Sequence, residues 1–187
     1  MRKVRRDILV LSLFPVLMIA AGALAQDDQF GFMPAGGRSL LFELLGQSDA
    51  ENLAKIVTQS QSAEDWHAWA ASQATDLDDK ALATFVGYAE LNLPVGEDVL
   101  QSFTESGDTG LFPPDGKDLA IAQCQFCHSL FSGYLMQDRD EVGWKSTFKS
   151  PFHKEIPMTE VEQDTFARYS AINMPLRFED VPPELRY

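Results

Sequence analysis

Two cysteines and a histidine stand together in the sequence Cys-Gln-Phe-Cys-His, as Cys124, Cys127 and His128, and they are the chain's only cysteines. Two thiols three residues apart, followed at once by histidine, are the attachment signature of c-type haem: the thiols add across the haem vinyl groups and the imidazole binds the iron. The same residues could form a disulfide or a two-ligand zinc site. A structural zinc needs four ligands, however, and no second Cys/His pair occurs. The sequence therefore predicts one covalently bound haem c.

The N-terminus predicts export. Four basic residues among the first six precede an apolar run from Ile8 to Ala20, and Ala23-Leu24-Ala25 then supplies the small residues of a cleavage site. This order is typical of a signal peptide over residues 1–25. The apolar run is shorter than the roughly 20 residues that span a bilayer, and it contains Pro15. We therefore expect a periplasmic protein with no membrane span after cleavage.

The charge of the chain is strongly acidic. The formal net charge is −13, and removal of the signal peptide, with its four basic residues and one acidic residue, makes it −16. Such a surface repels nucleic acid and anionic lipid head groups. It would instead steer encounters with redox partner proteins that carry a basic docking patch, or it serves only to keep the protein in solution.

Helical periodicity dominates the chain, and runs of alternating β-branched residues are missing, so the predicted fold class is all-α. Thr159 and Glu162 form a capping-box pair that predicts the start of the last helix. The turn formers of residues 104–116 lack periodicity and indicate a linker. The predicted helices cover residues 40–57 (at least one helix), 65–72, 79–91, 117–130 (holding both cysteines), 140–148 and 159–172.

An internal repeat links the two ends of the chain. The segment TFVGYAELNLP at 84–94 matches TFARYSAINMP at 165–175 at five of eleven positions. Trp66 precedes the first copy and pairs with Trp144, which precedes the second. A Glu-Asp-Val triplet follows each copy, at 97–99 and at 179–181. We interpret the repeat as two related helical modules.

The modules have defined predicted boundaries. They cover residues 38–100 and 117–182, with a linker at 101–116 and a C-terminal tail at 183–187. Positions opposite the haem motif in the first module fall near Gly46 to Ala50, where there is no cysteine. The first module is therefore predicted to be a degenerate copy without haem.

Residues 117–175 resemble the class I cytochrome c family. The resemblance rests on a helix with CQFCH, a loop with Trp144, and a closing helix with Phe166 and Tyr169 followed by a proline. It implies two small cytochrome-c-like modules in tandem, of which only the second binds haem. It also implies that Cys124 and Cys127 hold the haem and that His128 is the proximal iron ligand.

The family usually brings a methionine from the intervening loop to the distal side of the iron. Met158 lies in the right region and is the first choice, although it also suits a hydrophobic staple and its counterpart is Leu77. His153 is the alternative distal ligand. Met136 follows the motif too closely, and Met174 aligns with an ordinary leucine in the other copy.

These observations predict an electron-transfer protein rather than an enzyme, either a carrier or the cytochrome subunit of a redox complex. The rival hypotheses are a small peroxidase-like haem enzyme and a ligand sensor with five-coordinate iron. Bacterial cytochrome c peroxidases resemble tandem cytochrome modules but use two haems, whereas this chain has one attachment motif.

Overall fold

The computed structural model describes residues 29–46, 50–73 and 76–187, so the predicted signal peptide lies outside the described residues. The described part is helical and contains no strand, which confirms the all-α prediction. None of its helices combines the length and apolarity needed to cross a bilayer. The α-helices are α1 (Gly37–Leu45), α2 (Ala50–Val57), α3 (Ala63–Ala71), α4 (Asp79–Asn92), α5 (Glu97–Ser106), α6 (Gly116–Gln123), α7 (Glu141–Ser146) and α8 (Glu160–Asn173).

Side-chain caps explain where several helices begin. The predicted capping box at Thr159 and Glu162 is present at the start of α8. A second box, formed by Asp115 and Asp118, starts α6. Helices α3, α4 and α7 also begin after a serine or aspartate whose side chain accepts a backbone N–H bond. These caps satisfy donors that the first helical turn leaves without partners.

The helix that was predicted to hold the cysteines ends before them. Helix α6 stops at Gln123, Cys124 is its C-cap residue, and Cys127 lies in the following turn. The carbonyl of Ile121 accepts its bond from the side-chain amide of Gln125, at 2.7 Å, rather than from a continuing helical backbone. The prediction of a helix through residue 130 was therefore wrong.

The predicted linker is also partly helical. Helix α5 runs to Ser106, and a single 3₁₀ turn follows at Thr109–Leu111. Phe103 of α5 packs against Phe42 and Phe112, with ring centroids 5.5 and 5.4 Å apart. The end of α5 therefore packs against apolar residues of the first half, which the turn-forming composition of the linker did not indicate.

Two buried clusters form the interior, and we call them the first core and the second core. The first core lies mainly among α1 to α4, and the second lies mainly among α6 to α8. The first core consists of Leu40, Leu41, Leu44, Leu45, Leu53, Ile56, Val57, Trp66, Ala70, Phe85, Val86, Tyr88, Ala89, Leu93, Val95 and Phe112. The second core consists of Met33, Leu119, Ala120, Tyr134, Leu135, Trp144, Phe148, Met158, Phe166, Ala167, Tyr169, Met174 and Val181.

Helices α4 and α8 pack against each other through a contact that occurs twice. The side-chain amide of Asn92 donates to Thr165 Oγ1 at 3.0 Å, and that of Asn173 donates to Thr84 Oγ1 at 2.9 Å. All four side chains are buried. The identical residues of the sequence repeat therefore bond reciprocally across the helix crossing.

Glycines allow a close approach at matching places in the two halves. A Cβ atom at Gly37 of α1 would lie 2.1 Å from the Cβ of Tyr88, and one at Gly116 of α6 would lie 2.1 Å from the Cβ of Tyr169. Only a residue without a side chain fits at such a distance. Helix α1 thus packs on α4 as α6 packs on α8.

Each half also lends a segment to the other core. We call residues 30–36 the first lead and residues 109–115 the second lead. Met33 of the first lead is buried in the second core, and Phe112 of the second lead is buried in the first core. Tyr169 donates a hydrogen bond to the carbonyl of Pro34, and Tyr88 donates one to the carbonyl of Pro113, both at 2.8 Å.

Candidate cofactor site

The Cys-Gln-Phe-Cys-His turn projects from the end of α6. The N–H of Cys124 donates the last helical bond, to Ala120 at 2.9 Å, and the turn then carries Cys127 and His128 to the surface. Both cysteines are free thiols. Burial raises the pKa of the Cys124 thiol to about 12, whereas Cys127 is exposed. The motif therefore presents one sheltered and one accessible sulfur.

A cavity of about 240 Å³ opens beside this turn. Its walls come from the haem motif, from the segment after the motif, and from α7, α8 and the loop between them. The lining residues are Gln123, Cys124, Cys127, His128, Gly133, Tyr134, Gln137, Arg139, Trp144, Thr147, Phe148, Phe152, His153, Ile156 and Phe166. The structure thus brings the three predicted attachment residues to one largely apolar cavity.

The imidazole of His128 is oriented by its own backbone neighbourhood. Its Nδ1 lies 3.3 Å from the carbonyl oxygen of Ser129. Because a carbonyl oxygen can only accept, this contact places the hydrogen on Nδ1 and leaves the Nε2 lone pair for a metal. A hydrogen bond from the second ring nitrogen to a backbone carbonyl is the usual support of a metal-binding histidine.

His153 stands next to His128 in the cavity. The two ring centroids are 6.2 Å apart, and the rings are inclined at 79°. Metal–imidazole bonds are about 2.0–2.1 Å long, so two imidazoles on opposite sides of one ion have centroids roughly 6 Å apart. The Nδ1 of His153 is also buried without a hydrogen-bond partner, which is costly unless a ligand satisfies it. The distance between the two rings is therefore compatible with both imidazoles binding one iron.

Met158 is placed differently from His153. It is buried in the second core, and the cavity wall does not include it. Met136 and Met174 also pack in or against this core. Of the distal candidates that the sequence offered, His153 is the one that lines the cavity, whereas Met158 packs in the second core.

Arg139 and Trp144 add polar groups that the sequence analysis did not assign to the site. The guanidinium carbon of Arg139 lies 5.3 Å from the centre of the Trp144 ring, and both residues line the cavity. The Trp144 Nε1 is buried without a partner, but so is Nε1 of Trp66 in the first core. The unpaired indole nitrogen is therefore a feature of the repeated packing and not evidence for the site.

The matching place in the first core is filled by an aromatic side chain. Trp69, which corresponds to Thr147 of the cavity wall, packs on Trp66 and Phe85 with ring centroids 5.9 and 5.5 Å apart. Residues 47–49, part of the stretch opposite the haem motif, lie outside the described residues. In the part that is described, the first core holds an indole where the second core leaves room.

No protein-family model, curated protein or solved structure matches this chain. Within the described ranges, no three histidine, cysteine or acidic side chains are grouped closely enough to hold a metal ion by themselves.

Proposed function

We propose that this chain is an exported, periplasmic c-type cytochrome that carries single electrons through one covalently bound haem. Cys124 and Cys127 would hold the haem, and His128 and His153 would bind its iron. The observation that carries the proposal is that all four residues line one largely apolar cavity, with the two imidazoles 6.2 Å apart. Met158 remains a prediction of the sequence and is the alternative that the distal-ligand experiment below tests.

Haem c bound in this cavity supplies an iron that exchanges one electron between its ferric and ferrous states. The residues of the chain set the conditions for that exchange. Ser129 holds the tautomer of His128, and His153 closes the other side of the site. Phe148, Ile156 and Phe166 give the cavity an apolar wall. Two histidine ligands favour a lower reduction potential than a histidine and a methionine.

We further propose that the chain is a tandem of two cytochrome-c-like modules, at 38–100 and 117–182. The reciprocal bonds between α4 and α8, the paired glycine contacts and the exchanged leads support this interpretation. The first module has no cysteine, and the partly buried Trp69 packs against its core at the position that corresponds to Thr147. Its role is to complete the packing of the haem module.

The acidic charge is concentrated in the first module and the linker, and this bears on the proposed partners. Residues 38–116 contain 14 acidic and three basic residues, whereas residues 117–187 contain 11 and eight. A redox partner with a basic patch would therefore be attracted mainly to the haem-less side. The opening of the cavity, with the exposed Phe152, would remain available for electron exchange.

The test of the proposed function is haem content. The full chain is produced in a host that matures c-type haem, and intact mass is combined with a pyridine haemochrome spectrum. One haem per chain is expected. A variant carrying Cys124→Ser and Cys127→Ser is the matched control, and it should carry no covalent haem. A colourless wild-type protein, or one with two haems, would contradict the proposal.

Carbon monoxide binding separates the carrier from its rivals. If His153 occupies the distal position, as proposed, the ferrous carrier should bind carbon monoxide slowly or not at all. Rapid, tight binding by the wild-type protein would instead favour a peroxidase-like enzyme or a five-coordinate sensor.

A further inference from the structure

We propose that Gly133 is a positioning residue for the iron ligand His128, because only the absence of a side chain at this position lets the imidazole lie beside His153. This inference rests on the proposed function, since it assigns a role toward the same haem site. Gly133 lines the cavity, and the sequence analysis gave it no role.

The ring of His128 lies directly against the backbone of Gly133. A Cβ atom on Gly133 would lie 2.2 Å from Nδ1, 2.3 Å from Cε1 and 3.3 Å from Cγ of His128. The two shortest distances are far inside van der Waals contact, so a side chain at 133 and the observed imidazole cannot coexist.

One carbonyl group holds both residues in this arrangement. The oxygen of Ser129 accepts the backbone N–H of Gly133 at 3.0 Å and lies 3.3 Å from Nδ1 of His128. The His128 ring must therefore stay beside Gly133 in order to keep its contact with the Ser129 carbonyl. Loss of the ring position would also remove the bond that fixes the tautomer.

The backbone around Gly133 cannot move away to relieve a clash. Gly133 is the centre of a π-helical turn, Phe131–Leu135, a rare conformation that is frequent at functional sites. The next two residues, Tyr134 and Leu135, are fully buried, and the carbonyl of Leu135 accepts the N–H of Leu176 at 2.9 Å. The exposed imidazole, not the anchored backbone, must therefore yield to an added methyl group.

The first half of the chain provides an internal comparison. There the carbonyl of Val57 accepts the N–H of Val95 at 2.9 Å, which matches the bond between Leu135 and Leu176. Counting back two residues from Val57 places Lys55 opposite Gly133. Lys55 lies in a regular helix and pairs with Glu51. The half that lacks the haem motif thus carries a long side chain at the position where the haem half has none.

The test compares Gly133→Ala with Ser132→Ala in the full haem-loaded chain. Both changes place alanine in the same turn, but Ser132 is exposed and does not line the cavity. In Gly133→Ala we expect one haem per chain, a changed spectrum from loss of one axial ligand, and carbon monoxide binding to the ferrous protein about 10- to 100-fold faster. Added imidazole should restore the wild-type spectrum, and an unchanged far-ultraviolet circular dichroism spectrum should show that the variant is still folded.

A Gly133→Ala protein with the wild-type spectrum and binding rate would overturn the inference, as would equal effects of the two substitutions. If the alanine variant fails to load haem, nuclear Overhauser contacts in the haem-free chain decide. Contacts between the His128 ring and the α-protons of Gly133 are expected in the wild type, and their absence there would overturn the inference. Failure of the wild type itself to carry haem would instead contradict the proposed function.

Discussion

His153 and Met158 lie five residues apart, yet they face different environments. His153 follows a turn in which its N–H and that of Lys154 both donate to the carbonyl of Ser150, at 3.0 Å, and its ring lines the cavity. Met158 begins the approach to α8 and is only 9% exposed. The short turn between Ser150 and Met158 therefore decides which of the two side chains lines the cavity.

Replacement of His153 tests this assignment. In His153→Ala, the ferrous protein should bind carbon monoxide at least about tenfold faster than the wild type, because the distal position would be open. Met158→Leu is the matched control: it conserves volume, so it should cost less than about 1.5 kcal/mol of unfolding free energy and leave the spectrum unchanged. If Met158→Leu opened the site and His153→Ala did not, methionine would be the ligand.

The two thiols should also differ in reactivity before haem is attached. Because burial raises the pKa of Cys124 to about 12, only about one part in ten thousand of this thiol is ionised at pH 8. In haem-free, reduced protein, iodoacetamide should therefore label the exposed Cys127 first. Labelling of Cys124 should rise as the pH approaches 12. Peptide mass analysis after timed quenching measures both rates, and equal labelling at pH 8 would contradict the prediction.

At the residue level, the sequence predicted the attachment motif because its chemistry is contained in five consecutive residues. Gly133 and Arg139 gave no such signal. The role of Gly133 depends on a π-helical turn that hydrophobic periodicity does not reveal. The first choice of Met158 came from a family resemblance, whereas the preference for His153 follows from where a turn directs its ring.

At the level of elements, the reciprocal Asn–Thr contacts between α4 and α8 should contribute equally to stability. Thr84→Val removes the hydroxyl acceptor of Asn173 but keeps the shape of the side chain, so it should lower the unfolding free energy by about 1–3 kcal/mol. Thr84→Ser keeps the acceptor and is the matched control. Thr165→Val should cost a similar amount, because it removes the same contact from Asn92.

Urea unfolding of the haem-loaded variants measures these differences. Equal stability of the valine and serine variants would show that the contact is not required. A large difference between Thr84→Val and Thr165→Val would show that the two halves do not share this packing.

Most helices could be predicted because they carry caps and apolar periodicity, and the Thr and Asn identities of the repeat correspond to a real contact. The end of α6 could not be predicted, since the apolar pattern continues past Gln123 while a side-chain amide terminates the backbone bonding. Helix α5 was obscured by the glycines and prolines that follow it. Turn formers mark a boundary, but they do not show how close to it a helix can extend.

At the level of the whole molecule, the exchanged leads should make unfolding a single transition. Each core contains a buried residue from the other half, Met33 in one and Phe112 in the other. Haem absorbance, which reports on the second core, and far-ultraviolet circular dichroism, which reports on all helices, should therefore give the same urea midpoint. Two separated midpoints would contradict this expectation.

A single substitution in the second lead gives a sharper version of the same test. Phe112→Ala should lower the unfolding free energy by about 3–5 kcal/mol, because Phe112 is only 1% exposed. It should shift the haem-monitored transition as well, although Phe112 packs in the first core. Leu111→Ala, at the adjacent exposed position, is the control and should change stability by no more than about 0.5 kcal/mol.

The exchange of leads could not be read from the sequence. The bond from Tyr169 to Pro34 joins residues 135 positions apart, and no local pattern reports such a contact. The turn-forming composition of residues 104–116 predicts a connection between modules. In the structure, part of this connection belongs to the interior of the half that precedes it.

This exchange has a consequence for a chain that is cut in two. Gly107 is exposed and has a left-handed backbone, so it is a place where a protease could cleave without entering either interior. Met33 of the N-terminal fragment would stay buried in the second core. Phe112 of the C-terminal fragment would stay buried in the first core. The two fragments would therefore remain associated as a heterodimer, as subunits do when each contributes a segment to the core of the other.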